Sequence, residues 1–216
     1  MTKDEIAAAL TDERMALADL FDSLTPEQLG TWSLCAKWTV KDVAAHLTTL
    51  FNVSMASMSV RVAKNRFSFA KAVEQLTSEL SRRPIEQITA QLRDNAANLK
   101  HPPTAPLAPL ADVIVHAQDV RRPLGTAREV PFDRVSAAME FITSGRAAGF
   151  VPSSRVRGLR FMATDGDGAW GKGQIIHGPA LSLLLGAMGR RVAFAELGGA
   201  VEALSARLEA KQPRIS

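Results

Sequence analysis

The stretch Leu110–Gly125, LADVIVHAQDVRRPLG, sets Asp112, His116 and Asp119 at i, i+4 and i+7 within an apolar, helix-forming run. Successive residues of a helix turn by about 100°, so positions four apart lie about 40° from one another and positions seven apart about 20°. The three ionisable groups therefore form one narrow ridge, with Val113, Val115 and Val120 off it and able to pack against neighbours. Such a ridge faces either water or something that needs carboxylate and imidazole. The helix should stop near Arg122-Pro-Leu-Gly, where proline and glycine end it.

Helical patterning extends upstream. Residues 3–24 carry Ile6, Leu10, Leu17, Leu20, Phe21 and Leu24 at three-to-four spacing, which predicts a long amphipathic helix. Thr25 then reads as an N-cap with Pro26 at the first helical position, so a single turn follows. Trp32 to Trp38 is aromatic and irregular. Thr39 with Asp42 resembles a capping box, with Asp where Glu or Gln is usual, and opens a helix through Val43, His46, Leu47, Leu50 and Phe51. A third helical stretch covers roughly 67–82, Pro84 restarts the pattern, and a fourth runs over about 85–100. The segment HPPTAPLAP reads as a rigid proline-rich loop leading into the ridge helix, and another helix of about 132–147 starts after Pro131.

After residue 150 the period changes. RVRGLRFMAT alternates Leu159, Phe161 and Ala163 against Arg160 and Met162, as a half-buried strand does. DGDGAWGKG supplies turn chemistry, QIIHG reads as a second strand, GPALSLLLGAMGRR as an apolar helix, and GGAVEALSARLEA closes the chain. The pattern predicts a mainly α protein: an antiparallel four-helix bundle over 1–150 with a small α/β extension over 151–216.

Composition narrows the function classes. The 216 residues are 46% hydrophobic and 22% charged, ordinary globular values that argue against disorder outside the ends. The net charge of +4 comes from scattered Lys and Arg with no basic–aromatic cluster, so no nucleic-acid footprint is expected. The N-terminus runs into an amphipathic helix with no apolar leader core, and no segment reaches the roughly 18 apolar residues of a membrane span. One cysteine, Cys35, cannot form an internal disulfide or supply a cysteine-based zinc site, and the expected location is cytoplasmic.

Metal sites in helical bundles are commonly built from two ligands one turn apart on one helix, completed from a facing helix. Asp112 and His116 supply the pair, and His46 is the obvious third. Two imidazoles and one carboxylate suit zinc, iron(II), nickel or manganese, with positions left open for water or substrate. Each residue also has a plainer reading. A histidine on an apolar helix is often a hydrogen-bonded core residue, and an i, i+4 Asp–His pair serves on surfaces for a few tenths of a kcal/mol. Arg121 and Arg122 suit an anionic substrate or cofactor, or simply complement the helix dipole. Cys35 between Trp32 and Trp38 is more readily a small buried hydrophobe than a nucleophile. DGDGAW begins like a calcium loop but fails at Ala169, Trp170 and Ile176, no phosphate loop is present, and His101 and His177 receive no role.

The segment TWSLCAKWTVKDVAAHL (31–47), followed by VIVHAQDVRRPLG (113–125), resembles the mycothiol-dependent maleylpyruvate isomerase family within the DinB-like bundle superfamily. The tail ATDGDGAWGKGQIIHGPALSLLLGAMGRR (163–191) is similar to the C-terminal part of many such proteins, so the likeness spans nearly the whole chain. The resemblance implies a DinB-like bundle whose metal is held by His46, Asp112 and His116, with Asp119 as an alternative ligand or as the acceptor that orients His116. Asp112 departs from the Glu that the isomerase carries there, and is shorter. The resemblance further implies a divalent metal, zinc foremost, and mycothiol as a thiol cofactor whose thiolate the metal favours. The implied function is isomerisation or S-transfer on a small electrophile by a monomer or homodimer, with a low-molecular-weight thiol as partner. The alternative is a non-catalytic metal-binding or stress-related bundle protein, since a fold does not fix a function.

Overall fold

Strong local signals open most of the helices. The structure, a computed structural model, describes residues 1–101, 105–145, 147 and 150–209. It is mainly helical, with a small four-stranded sheet near the C-terminus. Met1 aside, the chain divides into two compact units: Thr2–His101 with His116–Arg128, and Pro102–Val115 with Glu129–Ser216.

In the first unit, α1 (Lys3–Ser23), α2 (Pro26–Leu29), α3 (Val40–Leu47) and α4 (Met55–Lys64) all start with reciprocal capping boxes, at Thr2/Glu5, Thr25/Gln28, Thr39/Asp42 and Ser54/Ser57. They are followed by α5 (Phe69–Leu80), α6 (Ile85–Asp94) and α7 (Ala108–Leu124), the last running uninterrupted through the point where the two units divide. α1 packs on α6, and α3 on α5 and α6. Leu10, Leu17, Phe21, Val43, Ile88 and Leu92 are buried there.

In this unit two boundaries and one whole helix differ from the periodicity. The helix expected through Phe51 stops at Leu47, where the Thr48 and Thr49 hydroxyls donate to the carbonyls of Ala45 and His46, both at 2.8 Å. Such back-bonding by β-branched residues loosens a helix, and a 3-10 turn over Thr49–Phe51 follows. α6 ends at Asp94 rather than near residue 100. Buried Arg14 of α1 donates through Nη1 to the carbonyls of Asn95 (2.9 Å), Ala96 (3.0 Å) and Asn98 (2.7 Å), which draws that strand of backbone out of helical register. α4 has no counterpart in the sequence reading because it buries no residue, so it leaves no core-facing stripe to detect.

α7 ends as its sequence requires. Pro123 lies in its last turn, and Gly125 adopts a left-handed φ of 66° while Thr126 N–H donates to Arg121 O at 3.0 Å. Of the proline-rich loop before α7, residues 102–104 lie outside the described residues.

The second unit holds the start of α7 with α8 (Phe132–Thr143), α9 (Ser153–Val156), β1 (Leu159–Ala163), β2 (Ala169–Gly171), β3 (Gln174–Gly178), α10 (Ala180–Ala187), β4 (Gly198–Gly199) and α11 (Val201–Glu209). α8 stops short of the expected 147, closing through Ser144 and a left-handed Gly145, while residues 146, 148 and 149 are outside the described set. The strand order is β2-β1-β3-β4, with Phe161 of β1 paired antiparallel to Trp170 and parallel to Ile176. β2 sits within the segment read as a turn, where Trp170 is buried against Phe132 at 6.3 Å between ring centroids. At Gly171 and Gly173, both with positive φ, a Cβ would fall 2.4 Å from Leu159 O and 2.1 Å from Gly158 O, so only glycine lets the chain turn this close to β1. α10, apolar on nearly every face, is buried as such a helix must be. Among the described residues no helix is long and apolar enough to cross a membrane.

Candidate metal centre

The Thr39 capping box fixes where α3 begins and so which way His46 points. Thr39 N–H and Oγ1 both donate to Asp42 Oδ2 (2.9 and 2.7 Å), and Asp42 N–H donates back to Thr39 Oγ1 at 3.2 Å. With Val40, Val43, Ala44 and Leu47 buried, His46 is held half-buried at the edge of that apolar face. Its Nδ1 lies 3.5 Å from the Thr77 hydroxyl of α5, the outer limit of a hydrogen bond.

On α7 the ridge keeps its helical spacing. His116 and Asp119 are buried and Asp112 is half-buried, so the ridge does not lie open to water. His116 Nδ1 is 2.9 Å from Asp119 Oδ2, and Asp119 has no solvent exposure. The rings of His46 and His116 meet edge to face, with centroids 4.7 Å apart at 69°. His46, Asp112 and His116 each offer a ligand atom, all within 4.8 Å of one another. A second set, Cys35, His116 and Asp119, satisfies the same limit.

Trp38 covers this group from the α2–α3 loop, its ring 4.6 Å from that of His46 and 5.9 Å from that of His116. The loop is fastened to α7 by Leu34 N–H donating to Asp119 O at 3.0 Å. It turns back through Lys37 at a φ of 74°, an uncommon conformation for a side-chain-bearing residue.

The two arginines that follow the ridge have different surroundings. Arg121 is buried and donates to Ala16 O (3.3 Å) and Thr126 O (3.5 Å). Burial, and secondarily the Arg128 cation, lower its pKa from the usual arginine value, with Glu13 opposing. Arg122 is half-buried in the same last turn, and neither arginine belongs to a ligand group. His101 and His177 are exposed and outside both groups.

The donor chemistry fits a divalent ion. Two imidazole nitrogens and a carboxylate oxygen make the nitrogen–oxygen set that zinc, iron, nickel and manganese accept. A carboxylate against the second ring nitrogen is the usual companion of a ligating histidine. Trp38 and Cys35 belong to this neighbourhood although the sequence reading gave neither a role. Their approach depends on a loop contact to a helix far along the chain, for which local spacing carries no signal.

A family model described as the mycothiol maleylpyruvate isomerase N-terminal domain matches residues 10–121, more than half of the 216-residue chain. The chain belongs to this family. The match runs from within α1 through most of α7, and takes in every residue of both ligand sets. As a member of the mycothiol maleylpyruvate isomerase N-terminal domain family, the chain also shares its fold with two solved structures. One is the crystal structure of a histidine-to-alanine mutant of the mycothiol-dependent maleylpyruvate isomerase, at a TM-score of 0.61 and 12% identity over 92% of this chain and 93% of that one. The other is the crystal structure of the mycothiol-dependent maleylpyruvate isomerase, at 0.59 and 13% over 88% and 90%. At these identities the likeness establishes the fold. No curated protein matches this family member.

Proposed function

We propose that the protein is a divalent-metal-dependent enzyme that uses a low-molecular-weight thiol, mycothiol by family membership, to isomerise or S-transfer a small electrophile. The observation that carries the reading is the convergence of His46, Asp112 and His116 within 4.8 Å in a chain of this family. A divalent ion bound there, zinc foremost, supplies a Lewis-acidic centre that favours the thiolate form of a thiol beside it.

The chain's own residues divide the remaining work. His46 and His116 contribute one ring nitrogen each, and Asp112 one carboxylate oxygen. Asp119 accepts the Nδ1 proton of His116, which fixes the tautomer and leaves Nε2 for the ion. Trp38 packs its ring against both imidazoles, tilted 38° to that of His46 and 40° to that of His116. Arg121 braces α7 against the Ala16 carbonyl of α1, and Arg122 is the member of the pair put forward to hold an anionic group of the substrate or cofactor. The setting in this reading is cytoplasmic.

The test is elemental analysis of protein purified without an affinity tag, beside His116→Ala, followed by isomerisation and S-transfer assays with mycothiol. Near-stoichiometric zinc, nickel, iron or manganese that disappears in the variant, with activity lost alongside it, is the expected result. Failure of both proteins to retain or take up any divalent ion would sink the proposal.

A further inference from the structure

Helix α4 and the turn after it present apolar side chains to water. With 100° between successive residues, Met55, Ser59, Ala63, Ala56 and Val60 fall within one arc of about 140°, and all are exposed. The other side of the helix holds half-buried Met58, Arg61, Val62 and Asn65, of which Arg61 and Asn65 make hydrogen bonds to Glu79 and Gln75 of α5. A solvated helix face normally carries charge, and this arc carries none. The chain then closes a tight turn: Phe67 N–H donates to Val62 O at 2.9 Å and Ser68 N–H to Asn65 O at 3.1 Å. Arg66 and Phe67 both take left-handed φ values, 55° and 60°, which are costly for residues that bear side chains. That turn leaves the Phe67 ring 84% exposed, with Phe69 55% exposed two residues on. A hydrogen-bonded turn that adopts unfavourable backbone angles and holds phenyl groups in water marks a binding surface.

Charge identifies what that surface meets. Between Asp42 and Glu74 the sequence has no acidic residue, yet it contains Arg61, Lys64, Arg66 and Lys71. Glu79 pairs with Arg61, and Glu74 lies 3.9 Å from Lys37. The exposed Lys64, Arg66 and Lys71 side chains are left without an acidic partner among the described residues. A second copy docked through the same face would oppose like cations, which disfavours it. Apolar groups accompanied by unpaired cations match a lipid surface with anionic headgroups: phenyl rings enter the acyl boundary while ammonium and guanidinium groups stay among the phosphates. We propose that α4 and residues 66–69 form a peripheral docking surface for an anionic lipid bilayer, lying on the membrane without crossing it. The surface does not involve the metal centre, so either reading stands if the other fails.

The experiment is co-sedimentation of the 216-residue protein with sucrose-loaded vesicles, either of phosphatidylcholine alone or of phosphatidylcholine and phosphatidylglycerol in equal parts. The protein should pellet with the anionic vesicles at low ionic strength, stay in solution with phosphatidylcholine alone, and be released by added salt. Phe67→Asn removes the phenyl while keeping a residue that tolerates the left-handed conformation, and should weaken partitioning about ten-fold or more. Lys64→Gln, at an exposed position, should weaken it about five-fold. No sedimentation with the anionic vesicles overturns the inference, and so does equal binding to both vesicle types. Undiminished binding by a Phe67→Asn, Phe69→Ser double variant of unchanged circular dichroism also overturns it, because adsorption by charge alone would then explain the result. Dimerisation in sedimentation equilibrium that Phe67→Asn abolishes would assign the face to a second copy and overturn it as well.

Discussion

Asp119 has no solvent exposure, and a carboxylate in that position is tolerable only where its charge is compensated. His116 Nδ1 lies 2.9 Å from its carboxylate, while Leu34 N–H donates to its main-chain carbonyl. Asn at this position keeps a carbonyl acceptor for the ring proton but removes the negative charge that makes the opposite nitrogen a better donor. Asp119→Asn is therefore expected to weaken zinc binding about 10- to 100-fold, read by competition with a chromophoric chelator, while the circular dichroism of the helices stays unchanged. The ridge of Asp112, His116 and Asp119 was legible in the sequence because all three sit on one helix, where spacing fixes geometry. The approach of Trp38 and Cys35 was not. It requires Lys37 in a left-handed conformation and a hydrogen bond between residues 34 and 119, neither of which a local pattern encodes.

At the level of elements, α4 stands apart because it buries nothing. Exposed Met55 and Val60 show that its apolar residues do not serve as a core stripe, which is why periodicity passed over it. It is joined to α5 by polar ties: Arg61 donates to both carboxylate oxygens of Glu79 (3.0 and 2.7 Å), and Asn65 Nδ2 donates to Gln75 Oε1 at 2.9 Å. The hydrogen bonds from Arg61 hold the Glu79 carboxyl below its ordinary value. A carboxylate depressed in the folded state contributes fully above its unfolded pKa, and loses that contribution as pH falls through the folded value. Hydrogen-exchange protection of α4, corrected for the intrinsic pH dependence, should therefore drop on acidification before that of α3. Glu79→Gln should reproduce the drop at neutral pH, by less than about 1 kcal/mol for so exposed a pair. Equal protection of α4 in Glu79→Gln and the unaltered protein would show that the tie does not hold the helix. The better-buried helices were readable to within a few residues, and their ends moved where a side chain from elsewhere intervened, as Arg14 does at the end of α6.

For the whole molecule, the donors of the metal-centre reading come from α3 and α7, elements far apart in sequence, so an ion that binds only the folded chain stabilises all of it. Zinc at about a hundred times its dissociation constant should add about 2.7 kcal/mol to unfolding, seen as a rise in Tm that a chelator reverses and His46→Ala abolishes. An unchanged Tm in the presence of zinc would contradict binding to the folded state. The helical part of the architecture was legible because long stretches repeat at one period, whereas β2 and β4 are three and two residues long and leave no alternation to read. The first compact unit is not a continuous piece of chain: residues 116–128 complete what 2–101 begin. Synthesis runs from the N-terminus at about 5–20 residues per second, so α1 to α6 leave the ribosome a few seconds before the half of α7 that supplies Ala117 and Val120 to their core. During that interval the nascent chain displays an unsealed apolar surface, which makes it a natural client for chaperones that guard emerging polypeptides.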